Sequence, residues 1–141
     1  MKKISKRLSA NDIGLTGAHQ AGILVPKQDD ILNFFPPLNR STKNPRVKML
    51  VRESVSETPW TFNFIFYNNR LFGGTRNEYR LTCMTQYLRA VDAKVDDELV
   101  FSKNENGSVY VARVRPNGPS LMHHSDDVLV LSGGWKIINI A

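Results

Sequence analysis

The sequence predicts a mainly β domain, an open β-barrel with two or so short helices, and three observations lead there. Glycine and proline punctuate many short apolar segments, residues 60–67 alternate between two faces, and Asn104-Glu105-Asn106-Gly107 separates two apolar runs in the manner of a hairpin. With 141 residues, the chain suits a single domain able to bury a core without disulfides or metal.

Each element can be justified in order. Residues 21–25 form a short apolar run stopped by Pro26, the first strand expected. Residues 27–35 place Ile31, Leu32, Phe34 and Phe35 on one side of a short helix that Pro36-Pro37 ends, a shape suited to plugging a barrel end. Residues 47–51 read as a strand with basic neighbours. In residues 60–67, Trp60, Phe62, Phe64 and Phe66 share one face while Thr61, Asn63, Ile65 and Tyr67 share the other. The aromatic face is expected to be core, because four large rings on one face pack more often than they stack bases. Asn68-Asn69 and Gly73-Gly74 both suit tight turns with positive φ, so the stretch between them should be short and projecting. Residues 82–91 are expected to contain a second helix with Tyr87, Leu88 and Val91 inward. Residues 98–101 and 109–114 flank the hairpin turn, and residues 128–131 and 135–140, with Gly133-Gly134 between them, supply two closing strands. No internal repeat, low-complexity tract or long linker divides the chain.

Charge and cysteine content narrow the function classes. The net charge of +6 and sequence pI of 9.7 favour an anionic partner. Cys83 is the only cysteine, so an internal disulfide and a thiolate zinc cage are both excluded. It reads as a buried structural thiol in a reducing compartment. Residues 1–7 begin like a secretory n-region, but the polar residues 9–12 break the apolar stretch a signal peptide requires. No apolar run is long enough to span a bilayer, so a cytoplasmic protein without a membrane partner is expected. His123-His124 with Asp126-Asp127 lacks a third or fourth ligand at suitable spacing and reads as a surface turn. No phosphate-binding glycine loop is present.

Chemistry concentrates in Gly73-Gly74-Thr75-Arg76-Asn77-Glu78-Tyr79-Arg80. Arginine can donate two parallel hydrogen bonds to guanine, asparagine can bond adenine, and glutamate can accept from cytosine N4. A loop that only gripped phosphate would gain nothing from a carboxylate, so Glu78 between two arginines suggests base reading or arginine orientation. The plainer alternative is a surface hairpin with a weak exposed ion pair. A second polar segment, residues 6–20, precedes the first expected strand and should be an irregular excursion able to reach a groove. Its alternative is a loop capped by Ser9, Asn11 and Asp12 bonding their own backbone. Arg40, Lys43, Arg46, Lys48 and Arg52 form a basic cluster suited to tracking a phosphate backbone or to solvation.

Together these blocks resemble the N-terminal effector domain of EcoRII-type restriction endonucleases. The similarity rests on Lys6-Arg7-Leu8-Ser9-Ala10-Asn11-Asp12, on Gly17-Ala18-His19-Gln20, and on residues 67–82, and it can be followed from Lys6 to Thr82. It implies a DNA-binding pseudobarrel, the fold shared with the B-three domains of plant transcription factors, whose two projecting arms enter the major groove of duplex DNA. The matching positions put one arm at about residues 9–20 and the other at about residues 70–82. By the resemblance, the first arm and its root supply Lys6, Arg7, Ser9, Asn11, Asp12, Thr16 and His19, and the second supplies Arg70, Thr75, Arg76, Asn77, Glu78, Tyr79 and Arg80. Asn63 would meet the middle of the site. The family prototype reads CC(A/T)GG as an asymmetric monomer, which implies a related short G·C-rich target and no dimer here. Tyr79 stands where a further basic residue is expected, Ala18 replaces a glycine, and Ile13 and Leu15 are bulkier than the usual first-arm residues. Loss of one basic contact should lessen the salt dependence.

The resemblance also implies that the chain binds without cutting, that the nuclease domain would follow Ala141, and that magnesium belongs to that domain rather than to this one. Two other functions compete. A compact nuclease would use Asp92 and Lys94 of Asp92-Ala93-Lys94, but it needs a second carboxylate, and Glu57 beside Thr58-Pro59 is poorly placed. An RNA-binding barrel would stack bases on Tyr67 and its neighbours.

Overall fold

The computed structural model describes residues 2–14, 22–115, 128–130 and 134–138. Nine strands form one sheet: β1 (Lys2–Arg7), β2 (Ile23–Val25), β3 (Arg46–Glu53), β4 (Pro59–Tyr67), β5 (Glu78–Thr82), β6 (Glu98–Lys103), β7 (Val109–Val114), β8 (Val128–Val130) and β9 (Trp135–Ile138). Their order is β2-β5-β4-β3-β7-β6-β1-β9-β8. Of the described pairs only β3–β7 is parallel. Among the described residues two short α-helices, α1 (Asp29–Leu32) and α2 (Thr85–Ala90), accompany the sheet in a mainly β architecture.

The sheet curls until its ends meet. Trp135 of β9 donates its indole N–H to the carbonyl of Leu24 on the edge strand β2, at 2.9 Å. That bond bridges two regions separated by six other strands in the sheet order. Trp135 is fully buried, so the hydrogen bond also satisfies a donor that could not otherwise reach water. Inside the curl an aromatic column forms: Phe35 stacks on Phe64 at 4.7 Å, Phe64 on Tyr79 at 5.7 Å, and Tyr79 on Phe66 at 4.2 Å. Tyr87 of α2 meets Trp60 and Phe62 edge-on at 5.5 and 5.6 Å. The alternation of β4 therefore does what its sequence requires, with Phe62, Phe64 and Phe66 buried in the core and Trp60 packed half-buried against it.

Several elements differ from expectation. The polar segment does not precede the first strand, because Lys2–Arg7 is itself β1 and lies inside the sheet between β6 and β9. Residues 27–35 shrink to a four-residue helix at Asp29–Leu32, although Ile31, Phe34 and Phe35 are buried as the pattern requires. The second helix, Thr85–Ala90, lies within the residues 82–91 expected to contain it; Thr82 closes β5, and Cys83 turns the chain at φ 63°. Cys83 is exposed, not the buried thiol expected, because that turn swings it out of the strand. Asn68 has φ −102° and opens a 3-10 turn, Asn69–Phe72, whereas Gly73 does adopt the left-handed conformation at φ 89°. Ile65 is buried although it lies on the face opposite the aromatic core. Its register partners are Arg46 and Arg80, whose long aliphatic stems flank it. The hairpin turn is as expected, with Gly107 at φ 89° donating to the Asn104 carbonyl. Of the closing strands, residues 131, 133, 139 and 140 lie outside the described residues.

Candidate nucleic-acid interface

Strand β5 determines which side chains of the second arm are available. Its burial alternates, with Tyr79 and Leu81 inward and Glu78, Arg80 and Thr82 outward. Tyr79, expected at the interface, is thus a core residue at 5% exposure, stacked between Phe64 and Phe66. A period of two cannot place Glu78, Tyr79 and Arg80 on one surface. Directly opposite residues share a face, so the rows Tyr67–Glu78, Arg46–Ile65–Arg80–Leu24 and Lys48–Asn63–Thr82 all belong to the outer surface.

On that surface one carboxylate holds two guanidinium groups. Arg76 donates from Nε and Nη2 to Glu78 Oε1 at 3.0 and 2.8 Å, and Arg80 donates from Nη2 to Oε2 at 3.2 Å. Arg80 Nη1 also donates to the Gly22 carbonyl at 3.2 Å. Burial pushes the Glu78 carboxyl up, but the hydrogen bonds and charges of Arg76 and Arg80 outweigh it and hold the group below the ordinary glutamate range. The Arg76 guanidinium lies 3.7 Å over the Tyr67 ring, a cation–π contact worth about 0.5–1 kcal/mol at a partly exposed site. The same contact covers the ring face that a stacked base would need. The Nη1 side of Arg76 keeps its N–H donors for an outside partner, since its described hydrogen bonds use only Nε and Nη2.

The arm preceding this cluster is braced from within. Asn68 is fully buried; its amide donates to the carbonyls of Arg40 and Thr42 at 3.3 and 2.9 Å, and its side-chain oxygen accepts from the Asn44 N–H at 2.7 Å. Arg70 N–H donates to the Arg76 carbonyl at 3.0 Å, tying the arm's two limbs together. A Cβ on Gly74 would come within 2.7 Å of Asn69 Cβ, so the close approach there needs glycine. Arg70 and Thr75 are exposed, Asn77 is half-buried, and Leu71 and Phe72 expose apolar side chains at the tip.

The first arm is described only to Gly14; Thr16 and His19, with Leu15, Ala18 and Gln20, lie outside the described residues. At its root Lys6 faces the core side of β1, opposite Leu99 and Trp135. Lys6 and Asp12 form an ion pair at 3.2 Å with both side chains 8% exposed. Ser9 N–H donates to the Asp12 carboxylate at 2.9 Å, and Asp12 N–H donates to Ser9 Oγ at 3.2 Å. Lys6 and Asp12, assigned to the first arm by the resemblance, are built into the loop's base, with Asp12 in the capping role that its sequence also allowed. Strand alternation turned Lys6 inward, and the capping geometry turned Asp12 after it. Arg7 is exposed and pairs with Asp96 at 2.7 Å; Ser9 and Asn11 are exposed. Asn63 stands half-buried on the outer face and donates to Cys83 Sγ at 3.4 Å. Sequence reasoning missed two positioning groups, Asn68 and the Gly22 carbonyl, because only the β3–β4 and β2–β5 pairings bring them to their partners.

Asp92 does not sit at a sheet edge. It lies in the exposed turn after α2 at φ 53°, paired with Lys94 at 3.0 Å and Arg115 at 3.6 Å. Hydrogen bonding and charge from Lys94 hold its carboxyl below the usual range. Among the described residues no three His, Cys, Asp or Glu side chains gather as a metal site would need. His123, His124, Asp126 and Asp127 lie outside the described residues.

Comparison with known proteins gives the same fold. Residues 2–102 match the family described as restriction endonuclease EcoRII, N-terminal. The Escherichia coli type II restriction enzyme EcoRII is 43% identical over 79 residues, 55% of this chain but 19% of that enzyme. The matched stretch is thus a minor part of the curated relative. The N-terminal domain of Helicobacter pylori LlaJI.R1 superposes with a TM-score of 0.61 at 12% identity, covering 100% of both chains. The Arabidopsis FUS3–DNA complex gives 0.61 at 14% identity, covering 79% of this chain and 94% of that one. The UbaLAI restriction endonuclease B3 domain, solved with cognate DNA, gives 0.53 at 22% identity, covering 79% of this chain and 66% of that one. Likeness at such low identity speaks for the fold alone.

Proposed function

The chain belongs to the family of N-terminal domains of restriction endonuclease EcoRII, and from that premise we propose that it recognises a short sequence in duplex DNA without cutting it. It serves as the targeting or effector part of a restriction enzyme whose nuclease lies in another domain. One observation carries the reading: Glu78 holds Arg76 and Arg80 together on the outer face, with donor N–H groups of Arg76 left for a partner. Two oriented guanidinium groups suit guanine O6 and N7, and an acid between them can be exchanged toward a cytosine amino group as DNA arrives. The solved complexes of FUS3 and of the UbaLAI domain with DNA support the choice of partner.

In this reading the second arm, with Arg70, Thr75, Arg76, Asn77, Glu78 and Arg80, supplies base and phosphate contacts in the major groove. The first arm supplies Arg7, Ser9, Asn11, Thr16 and His19, and the buried Lys6–Asp12 pair fixes its root. Asn63 faces the middle of the site, which is CC(A/T)GG or a related G·C-rich sequence. The domain acts as a monomer and needs no metal to bind; magnesium serves the linked nuclease. The paired, exposed Asp92 gives no support to a nuclease in this chain, and the guanidinium over Tyr67 gives none to base stacking there.

The test is binding, at fixed physiological salt, to duplexes carrying CC(A/T)GG and its single-base variants. Arg76→Ala or Arg80→Ala should cost about 1–3 kcal/mol and relax discrimination at one position. An equal loss on every sequence would make those arginines phosphate contacts instead, and magnesium-dependent cleavage by the 141-residue chain would overturn the non-catalytic assignment.

A further inference from the structure

We propose that Arg46, Lys48 and Arg52 of β3 form a track for the phosphate backbone of the DNA that Arg76 and Arg80 read, a proposal resting on duplex DNA being the partner. Strand alternation puts all three on the outer surface, where each is exposed. The register places Arg46 in the same row as Arg80, with Ile65 between them, and Lys48 in the same row as Asn63 and Thr82. The track and the arginine cluster therefore share one continuous face.

Charge and spacing both favour phosphate as the occupant. Some cations elsewhere pair with acids, as in Arg7–Asp96, Lys136–Glu98 and Lys94–Asp92, while others, such as Arg70 and Arg89, have no acid within ion-pair reach among the described residues; what sets the β3 cations apart is their alignment on one strand face in register with Arg80 and Asn63. Among the described residues none of the three β3 cations has a carboxylate within ion-pair reach. The outward residues of β4 are Pro59, Thr61, Asn63, Ile65 and Tyr67, with no acid among them. Glu78, one row beyond that of Arg46 and Arg80, already holds Arg76 and Arg80, and the Glu53 carboxylate beside Arg52 accepts from the Val55 and Ser56 N–H groups. Three cations on one strand face, interrupted only by the exposed Leu50 between Lys48 and Arg52 and with no acid partner among the described residues, suit an anionic surface rather than internal stabilisation. Arg46 and Arg80 lie two strands apart, about 10 Å. A major groove about 12 Å wide and 8.5 Å deep sets a base edge on its floor roughly 10 Å from the phosphates of its rim. With Arg80 at the floor, Arg46 reaches the rim, and Lys48 and Arg52 continue along β3.

Measuring the full 141-residue chain against two duplexes tests this, one carrying CC(A/T)GG and one with those bases scrambled, across a salt series. Arg46→Gln/Lys48→Gln/Arg52→Gln should lower the slope of log affinity against log salt by about two to three, since each phosphate contact contributes roughly 0.9. Affinity for both duplexes should fall by the same factor, leaving their ratio unchanged. Single Lys48→Gln, which keeps the strand and most of its surface, should lower the slope by about one. If the unsubstituted chain binds both duplexes and the variants keep its slope, the track is wrong while base reading survives. A loss confined to the CC(A/T)GG duplex would also overturn the track, by making these residues base contacts. Failure of the unsubstituted chain to bind either duplex would overturn the DNA reading and the track together.

Discussion

Glu78 shows how much one side chain can organise. Its carboxylate is held below its ordinary range by Arg76 and Arg80 despite the opposing effect of burial, so the native state favours the ionised form. The resulting stability is present above the usual glutamate value of 4.5 and is lost as pH falls through the lower, folded value. Glu78→Gln should therefore reduce stability by about 1 kcal/mol at neutral pH, with the difference closing in acid; melting temperature against pH for both proteins measures it. Tyr79 gives a different test. Tyr79→Phe should leave duplex affinity intact, because the ring stacks inside the core, whereas Tyr79→Ala should cost about 3–5 kcal/mol in chemical denaturation. The arginines and glutamate were legible in the sequence because their residue types announce hydrogen-bonding chemistry. The inward turn of Tyr79 was legible too, once 78–82 was treated as a strand, but a resemblance read position by position gives no face to a residue. The capping role of Asp12 was legible as one of two readings of its loop, but its pairing with a buried Lys6 was not, because burial of a charge depends on a partner whose closeness no spacing rule reveals.

At the scale of the element, the second arm is a short 3-10 turn and a glycine pair braced by Asn68. Asn68→Ala would leave the Asn44 N–H and the carbonyls of Arg40 and Thr42 without their partner, costing about 1–3 kcal/mol. Amide hydrogen exchange should quicken across residues 40–44 and at the arm together; protection lost at only one of the two would count against a shared brace. Gly74→Ala meets Asn69 Cβ at 2.7 Å and should weaken duplex binding more than it lowers melting temperature, because the collision lies in the arm and not in the core. Strand β4 was readable because its large rings recur every second residue. Strand β1 was not, since Lys2, Lys3, Ser5, Lys6 and Arg7 surround one isoleucine and carry little apolar signal. What makes that segment a strand is pairing on both sides, with β6 and β9, a tertiary effect that outweighs local preference. Helix α2 was located only to within residues 82–91, because nothing local marks the turn at Cys83.

Over the whole molecule, the sheet order follows from pairings between distant segments, so the mainly β class was legible but the parallel join of β3 to β7 was not. Closure depends on Trp135 reaching Leu24. Trp135→Phe keeps much of the ring packing but strands the Leu24 carbonyl, and should lower unfolding free energy by about 1–3 kcal/mol, read as a shift in denaturation midpoint at unchanged slope. The three residues of β2 carry more than this seam. Gly22, just before the strand, accepts from Arg80, and Leu24 stands opposite Arg80 in register. Any loosening of the barrel at that strand must therefore disturb Arg80, the arginine that the proposed function sets against guanine. Warmed gently, the protein should begin to confuse related sites while most of its core is still intact, so fidelity would fail before the fold does.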